Sequence, residues 1–193
     1  TSLGEIIISS SVKSIGSNCF NGCIKLTNIE IPSSVNSIGE DAFVNCKNIS
    51  TITIDPNKIT FKNYPFTGCK QLNKIILGQT VTSVENINKY KFIKIANSIE
   101  LPQSLSIINS HSFENCTNLQ QIEIPNSITK IDDYAFNGCT SLQQIIIPNS
   151  VQSIGQCSFN DCKSITSLKI PSTVKFLGEN AFKGCINLNN LQM

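Results

Sequence analysis

Apolar side chains recur along the chain in two alternating rhythms. In Ile29-Glu30-Ile31 and Ile122-Glu123-Ile124 the alternation places two side chains inside and one outside, which predicts a short strand. Proline follows such runs at 32, 125, 148 and 171, and ends each strand by withholding the backbone donor that a neighbour would need. Two more inward positions come after the turn: Val12 with Ile15, Val35 with Ile38, Ile128 with Ile131, Val151 with Ile154, and Val174 with Leu177. They predict a second short extended segment. Next stand Gly16, Gly39, Lys62, Asn109, Asp132, Gly155 and Gly178, which apart from Lys62 tolerate positive φ, so a tight left-handed corner is expected there. Beyond it, Asp41-Ala42-Phe43 and Asn180-Ala181-Phe182 read as one helical turn. It is closed by Gly22, Asn45, Gly68, Asn115, Gly138, Asp161 or Gly184, all suited to a left-handed cap.

These segments repeat. Cysteines at 23, 46, 69, 116, 139, 162 and 185 are 23 residues apart except for one step of 47, which is two periods plus one residue. Phenylalanine stands three residues before each of them, Leu or Ile three residues after, and Ile or Leu six after. A unit of 23 residues cannot bury its own inward side chains, so the units must stack, strand on strand, about 4.8 Å apart. The expected fold is therefore an α/β solenoid of about eight repeats, a right-handed coil with a parallel β-sheet that is concave on the strand side. The whole of 1–193 forms a single domain in this reading, a fragment of a longer chain because its first residue is not Met. One repeat, near 79–101, is degenerate: Lys89 takes the phenylalanine position and Phe92 the cysteine position. From Asn86 to Ile95 an irregular or extended passage is expected in place of the helical turn. Asp55-Pro56-Asn57-Lys58 also departs from the proline-turn pattern.

With phenylalanine three residues before cysteine, a CxxLxxIxIP strand segment and a following PxSVxSIGxxAF, nearly the whole chain resembles the BspA-like leucine-rich repeats, also called the Treponema pallidum type. The resemblance implies a leucine-rich-repeat coil. It also implies a place at the cell surface or in secretion, and adhesion to host or matrix proteins, the role proposed for such repeats in oral bacteria and parasitic protists.

Composition narrows the chemistry. The formal charge of +2 comes from 15 basic and 13 acidic residues scattered along the chain, which leaves no stripe to neutralise a row of phosphates, so nucleic acid is not an expected partner. No apolar run approaches the roughly 20 residues needed to cross a bilayer, and membrane insertion within this segment is not expected. A single histidine, His111, and no tryptophan offer thin material for an active site. Neither enzymatic activity nor a metal or cofactor is expected. His111 shares its repeat position with Asn18, Asp41, Tyr64, Tyr134, Cys157 and Asn180, so it reads as a solvent-edge residue. Seven of the nine cysteines fall on a ladder whose Cβ vectors run parallel, a poor geometry for disulfides, and they read as buried thiols. Cys19 and Cys157 lie off the ladder and read as free thiols. The sequons Asn48-Ile49-Ser50 and Asn115-Cys116-Thr117 are no more than chance supplies.

A solenoid of this kind binds a protein partner through its concave strand face. Its outward residues form two rows, with Lys74, Gln121 and Gln144 in one and Glu30, Thr53, Ile76, Glu123, Ile146 and Lys169 in the other. Isoleucine at 76 and 146, among polar neighbours, reads either as a binding hot spot or as the ordinary strand preference of a β-branched residue. Tyr90-Lys91-Phe92-Ile93 is a second expected patch. The uncapped ends predict association of copies through terminal repeats, forming a homo-oligomer. The alternative to surface adhesion is a cytoplasmic scaffold or regulatory subunit that holds an enzyme such as a phosphatase, which the reduced-looking cysteines suit.

Overall fold

Isoleucine alternating with polar residues ahead of a proline forms strands throughout the computed structural model of the protein, which describes residues 3–85 and 87–193. Contacts divide the chain into two compact units, Thr1–Thr80 and Val81–Met193. The first contains β1 (Ser14–Ile15), β2 (Asn28–Glu30), β3 (Ser37–Ile38), β4 (Thr51–Ile54), β5 (Thr60–Phe61) and β6 (Lys74–Leu77). They pair in parallel as β2-β4-β6 and β1-β3-β5, and Ile29, Ile52 and Ile75 lie in register one period apart. The second unit contains β7 (Ser98–Glu100), β8 (Ile107–Ile108), β9 (Gln121–Glu123), β10 (Lys130–Ile131), β11 (Ser153–Ile154), β12 (Ser167–Lys169), β13 (Phe176–Leu177) and β14 (Asn190–Gln192). In it β7 pairs β9, β12 pairs β14, and β8-β10-β11-β13 form the second ladder, all parallel. The fold is a parallel β-solenoid of about eight repeats joined by short helical turns.

Equivalent side chains lie over one another. Phe20, Phe43 and Phe66 stack at ring-centroid distances of 5.0 and 5.2 Å, and Phe113, Phe136, Phe159 and Phe182 at 5.2, 5.2 and 5.4 Å. Cysteines form the adjacent row. The Cys46 thiol donates to the Phe20 carbonyl one coil behind it (3.0 Å), as do Cys69 to Phe43, Cys139 to Phe113, Cys162 to Phe136 and Cys185 to Phe159. Each such carbonyl also accepts the amide of its own coil's cysteine, for example Cys46 N–H to Phe43 at 3.3 Å. A small side chain with one weak donor satisfies the second lone pair of an otherwise buried acceptor, which accounts for cysteine here.

One expectation about the turns is corrected. The corner residues Gly16, Gly39, Lys62, Asn109, Asp132, Gly155 and Gly178 are not left-handed. Positive φ falls instead two residues later, at Asn18, Asp41, His111, Tyr134, Cys157 and Asn180 (φ 50–58°), and at Asn63 in the coil containing Lys62. At three of these corners, Gly39, Gly155 and Gly178, successive coils nearly touch: a Cβ on Gly178 would lie 2.3 Å from the Gln156 nitrogen, and one on Gly39 2.4 Å from the Ser17 nitrogen. The stretch from the left-handed residue to the cap is the expected short helical turn, with its amides shared between coils. Asn18, Phe20 and Gly22 donate to Glu40, Ala42 and Val44 of the next coil, while Asn21 and Cys23 donate locally to Asn18 and Phe20. Alternate amides thus point along the solenoid, which requires left-handed backbone at both ends of the stretch. The expected caps hold this conformation, from Asp161 at 57° to Gly68 at 78°.

The degenerate repeat is the second correction. Asn86 lies outside the described residues, but the remainder of the expected irregular passage is helical, with a 3-10 turn at Ile87–Lys89 and an α-helix, α1, at Lys91–Ile95. Here Ile87 and Lys91 occupy the two positions that elsewhere turn left-handed. A β-branched residue and a lysine resist positive φ, so the chain keeps right-handed dihedrals and coils.

Candidate functional site

The inward ladders determine which strand residues face solvent. Glu30, Gln121, Glu123, Gln144 and Lys169 are exposed, whereas Thr53 and Lys74 are half-buried. The two isoleucines differ: Ile76, on β6, is half-buried, while Ile146 is 81% exposed. Exposure at that level is more than a strand preference requires. Glu100, on β7 and in register with Glu123, belongs to the same row as Glu123. Sequence reasoning missed it because its repeat carries an inserted residue and no cysteine, although Pro102 two positions later marks the strand end.

Around Ile146 the strand ladder is interrupted. Gln144 forms an isolated parallel bridge to Gln121, and residues 145–147 are not in a strand, although Ile145 and Ile147 remain buried. The register of that bridge sets Ile146 beside Glu123, and Lys169 stands one 23-residue period further along the sequence. The second expected patch is not a surface, because Phe92 and Ile93 of α1 are buried and Tyr90 stacks on Phe92 at 5.6 Å. Helix formation has turned those apolar side chains inward.

On the turn side, His111 stacks flat on Tyr134 at 5.0 Å, and its Nδ1 lies 2.8 Å from Glu114 Oε2. Burial pushes the Glu114 carboxyl up, but hydrogen bonds from the Asn137 amide and the His111 ring outweigh it and hold the group below its ordinary value. A hollow of about 270 Å³ nearby is lined by Glu85, Asn109, Ser110, His111 and Asp132. Its polar groups are engaged: Asn109 Oδ1 accepts from the Val84 amide and the Ser83 hydroxyl, and Asp132 pairs with Lys130 at 2.7 Å. Nothing there places a nucleophile beside a base. The nine cysteines are free thiols. Burial raises Cys69 and Cys116 to about 12, and raises Cys46, Cys139, Cys162 and Cys185 as well, so these thiols stay protonated. Among the described residues no three His, Cys, Asp or Glu side chains are grouped to hold a metal ion, and no helix is long and apolar enough to cross a membrane.

The family model for the BspA type leucine rich repeat region matches residues 1–95 and 85–193. The chain belongs to the BspA-type leucine-rich repeat family. A leucine-rich repeat protein from Bacteroides ovatus is 28% identical, with 96% of this chain aligned to 41% of that one at a TM-score of 0.51. The Treponema pallidum leucine-rich repeat protein is 30% identical over 94% of this chain and 63% of its own, at a TM-score of 0.49. The chain spans less than two thirds of the length of either. No curated protein matches it. Solenoids of the leucine-rich type typically serve protein–protein interaction through their strand face, a rigid and regular array of side chains.

Proposed function

We propose that the protein is a non-catalytic binding module that recognises another protein through its outward strand residues, in surface adhesion or host-protein recognition. The observation that carries this reading is Ile146, exposed among polar side chains on an otherwise regular face. Family membership supports the class of function, and the resemblance to surface repeats of bacteria and protists supports an extracellular setting. Gln121, Glu123, Gln144 and Lys169 surround it in this proposal, and Glu30, Thr53, Lys74 and Ile76 are the corresponding strand-face candidates of the other unit. The test is surface plasmon resonance of the 193-residue chain over immobilised extracellular-matrix glycoproteins. Ile146→Asp should weaken the captured pair at least about tenfold, while Ile186→Asp, equally exposed but off the strand face, should leave it unchanged. Equal binding by both variants would move the site elsewhere.

A second contact has its own observation. Phe176, Leu177, Leu191 and Met193 are exposed in the coils nearest the C-terminus, and Ile7 and Ile24 in those nearest the N-terminus. Stacking of copies through these side chains would repeat the packing used between internal coils. Light scattering that returned a monomer mass at all concentrations would remove this reading.

A further inference from the structure

We infer that the face around Ile146 is shaped for an amphipathic α-helix lying across the strands, with a basic, an apolar and an acidic residue at positions i, i+3 or i+4, and i+7. The inference rests on the strand-face reading and adds the form and chemistry of the partner. Glu123, Ile146 and Lys169 occupy one row on three successive coils, and all three are exposed. Neither charged member has an ion-pair partner among the described residues. They do not pair with each other across Ile146. The row therefore reads acidic, apolar, basic, and its complement reads basic, apolar, acidic.

Spacing decides the form of the partner. Strands stack about 4.8 Å apart, and rings in these coils stack at 5.2 to 5.4 Å, so the outer members of the row are roughly 10 Å apart. On one face of an α-helix, successive side chains at i, i+3 or i+4, and i+7 advance about 5 and 10 Å at a rise of 1.5 Å per residue. An extended peptide advances about 6.7 Å per same-face residue and about 13 Å over two, so it loses register by the third contact. A helix stays in register with the solenoid and an added strand does not.

The experiment uses the 193-residue chain and three stapled, fluorescently labelled helices of about 18 residues, long enough to stay helical. They carry Arg-Leu-Glu, Arg-Leu-Arg or Glu-Leu-Glu at the three positions, and anisotropy reads their binding. The Arg-Leu-Glu helix should bind about tenfold tighter than either like-charged helix. Glu123→Lys should invert the preference in favour of Glu-Leu-Glu, and Ile146→Asp should abolish binding of all three. Both substitution sites are exposed, and unchanged thermal unfolding confirms that the variants fold. Equal affinities for the three helices would overturn the inference. So would equal binding by an extended, proline-containing peptide with the same side chains at alternate positions. A matrix protein whose capture is lost in Ile146→Asp but is not competed by the Arg-Leu-Glu helix would overturn the helical partner and leave the strand-face reading standing. Capture indifferent to Ile146→Asp would instead overturn that reading.

Discussion

At the scale of single residues, the repeat uses glycine for two unrelated reasons. At the caps, as in Gly138 at φ +73°, it serves a left-handed backbone, and asparagine or aspartate replaces it in other coils. At the corner it serves proximity, because the chain of the preceding coil occupies the space of a side chain. The two roles predict different outcomes. Gly178→Ala should destabilise by about 1–3 kcal/mol, since its Cβ would meet backbone that cannot rotate away. In a chain of this length that lowers the thermal midpoint by roughly 2–4 °C per kcal/mol. Gly16→Ala, whose Cβ would meet nothing within 4 Å, should be neutral or slightly stabilising. Differential scanning calorimetry of the pair checks both. The cap was legible in the sequence because its allowed residues are those of a left-handed position. The corner was misread because close approach and positive φ both select glycine, and sequence alone does not separate them.

At the scale of elements, the phenylalanine and cysteine rows act as continuous columns. Phe136 is buried between two stacked rings, so Phe136→Ala should cost about 3–5 kcal/mol in urea unfolding. Phe182, half-buried and with one ring neighbour at 5.4 Å, should cost clearly less when truncated. The thiol column makes stability depend on alkali. Cys69 and Cys116 titrate near 12 in the folded chain against an ordinary 9.0, because burial disfavours the thiolate. A folded-state value above the unfolded one gives stability that is complete below the unfolded value and is lost as pH rises toward the folded one. The thermal midpoint should therefore be level up to about pH 9 and fall between 9 and 12, and Cys116→Ala should make that fall shallower. A fall beginning below pH 7 would contradict the assignment. Sequence showed the columns because each repeats its residue type; it showed neither the thiol's donation to the phenylalanine carbonyl nor the helical substitute in the degenerate repeat. That substitute follows from two residues, Ile87 and Lys91, whose importance appears only once the left-handed positions are known.

At the scale of the whole molecule, stability in a stack of coils is a sum of nearest-neighbour contacts, so coils with two neighbours outlast those with one. Amides of β10 and β11, where Ile131 and Ile154 are fully buried, should exchange hydrogen much more slowly than those of β13 and β14, where Phe176, Leu177 and Leu191 are exposed. Hydrogen exchange with mass spectrometry checks this, and uniform protection along the chain would contradict it.

The period, the inward rows, the parallel pairing and the strand face were determined by the sequence by itself, because exclusion of water from a stacked core demands the same residue type at the same place in every coil. Where the backbone turns left-handed, which corners leave no room for a Cβ, and which outward isoleucine stays exposed were set by the packing of coil on coil. Those outcomes depend on distances between coils and on hydrogen bonds along the stack, and no single repeat carries that information.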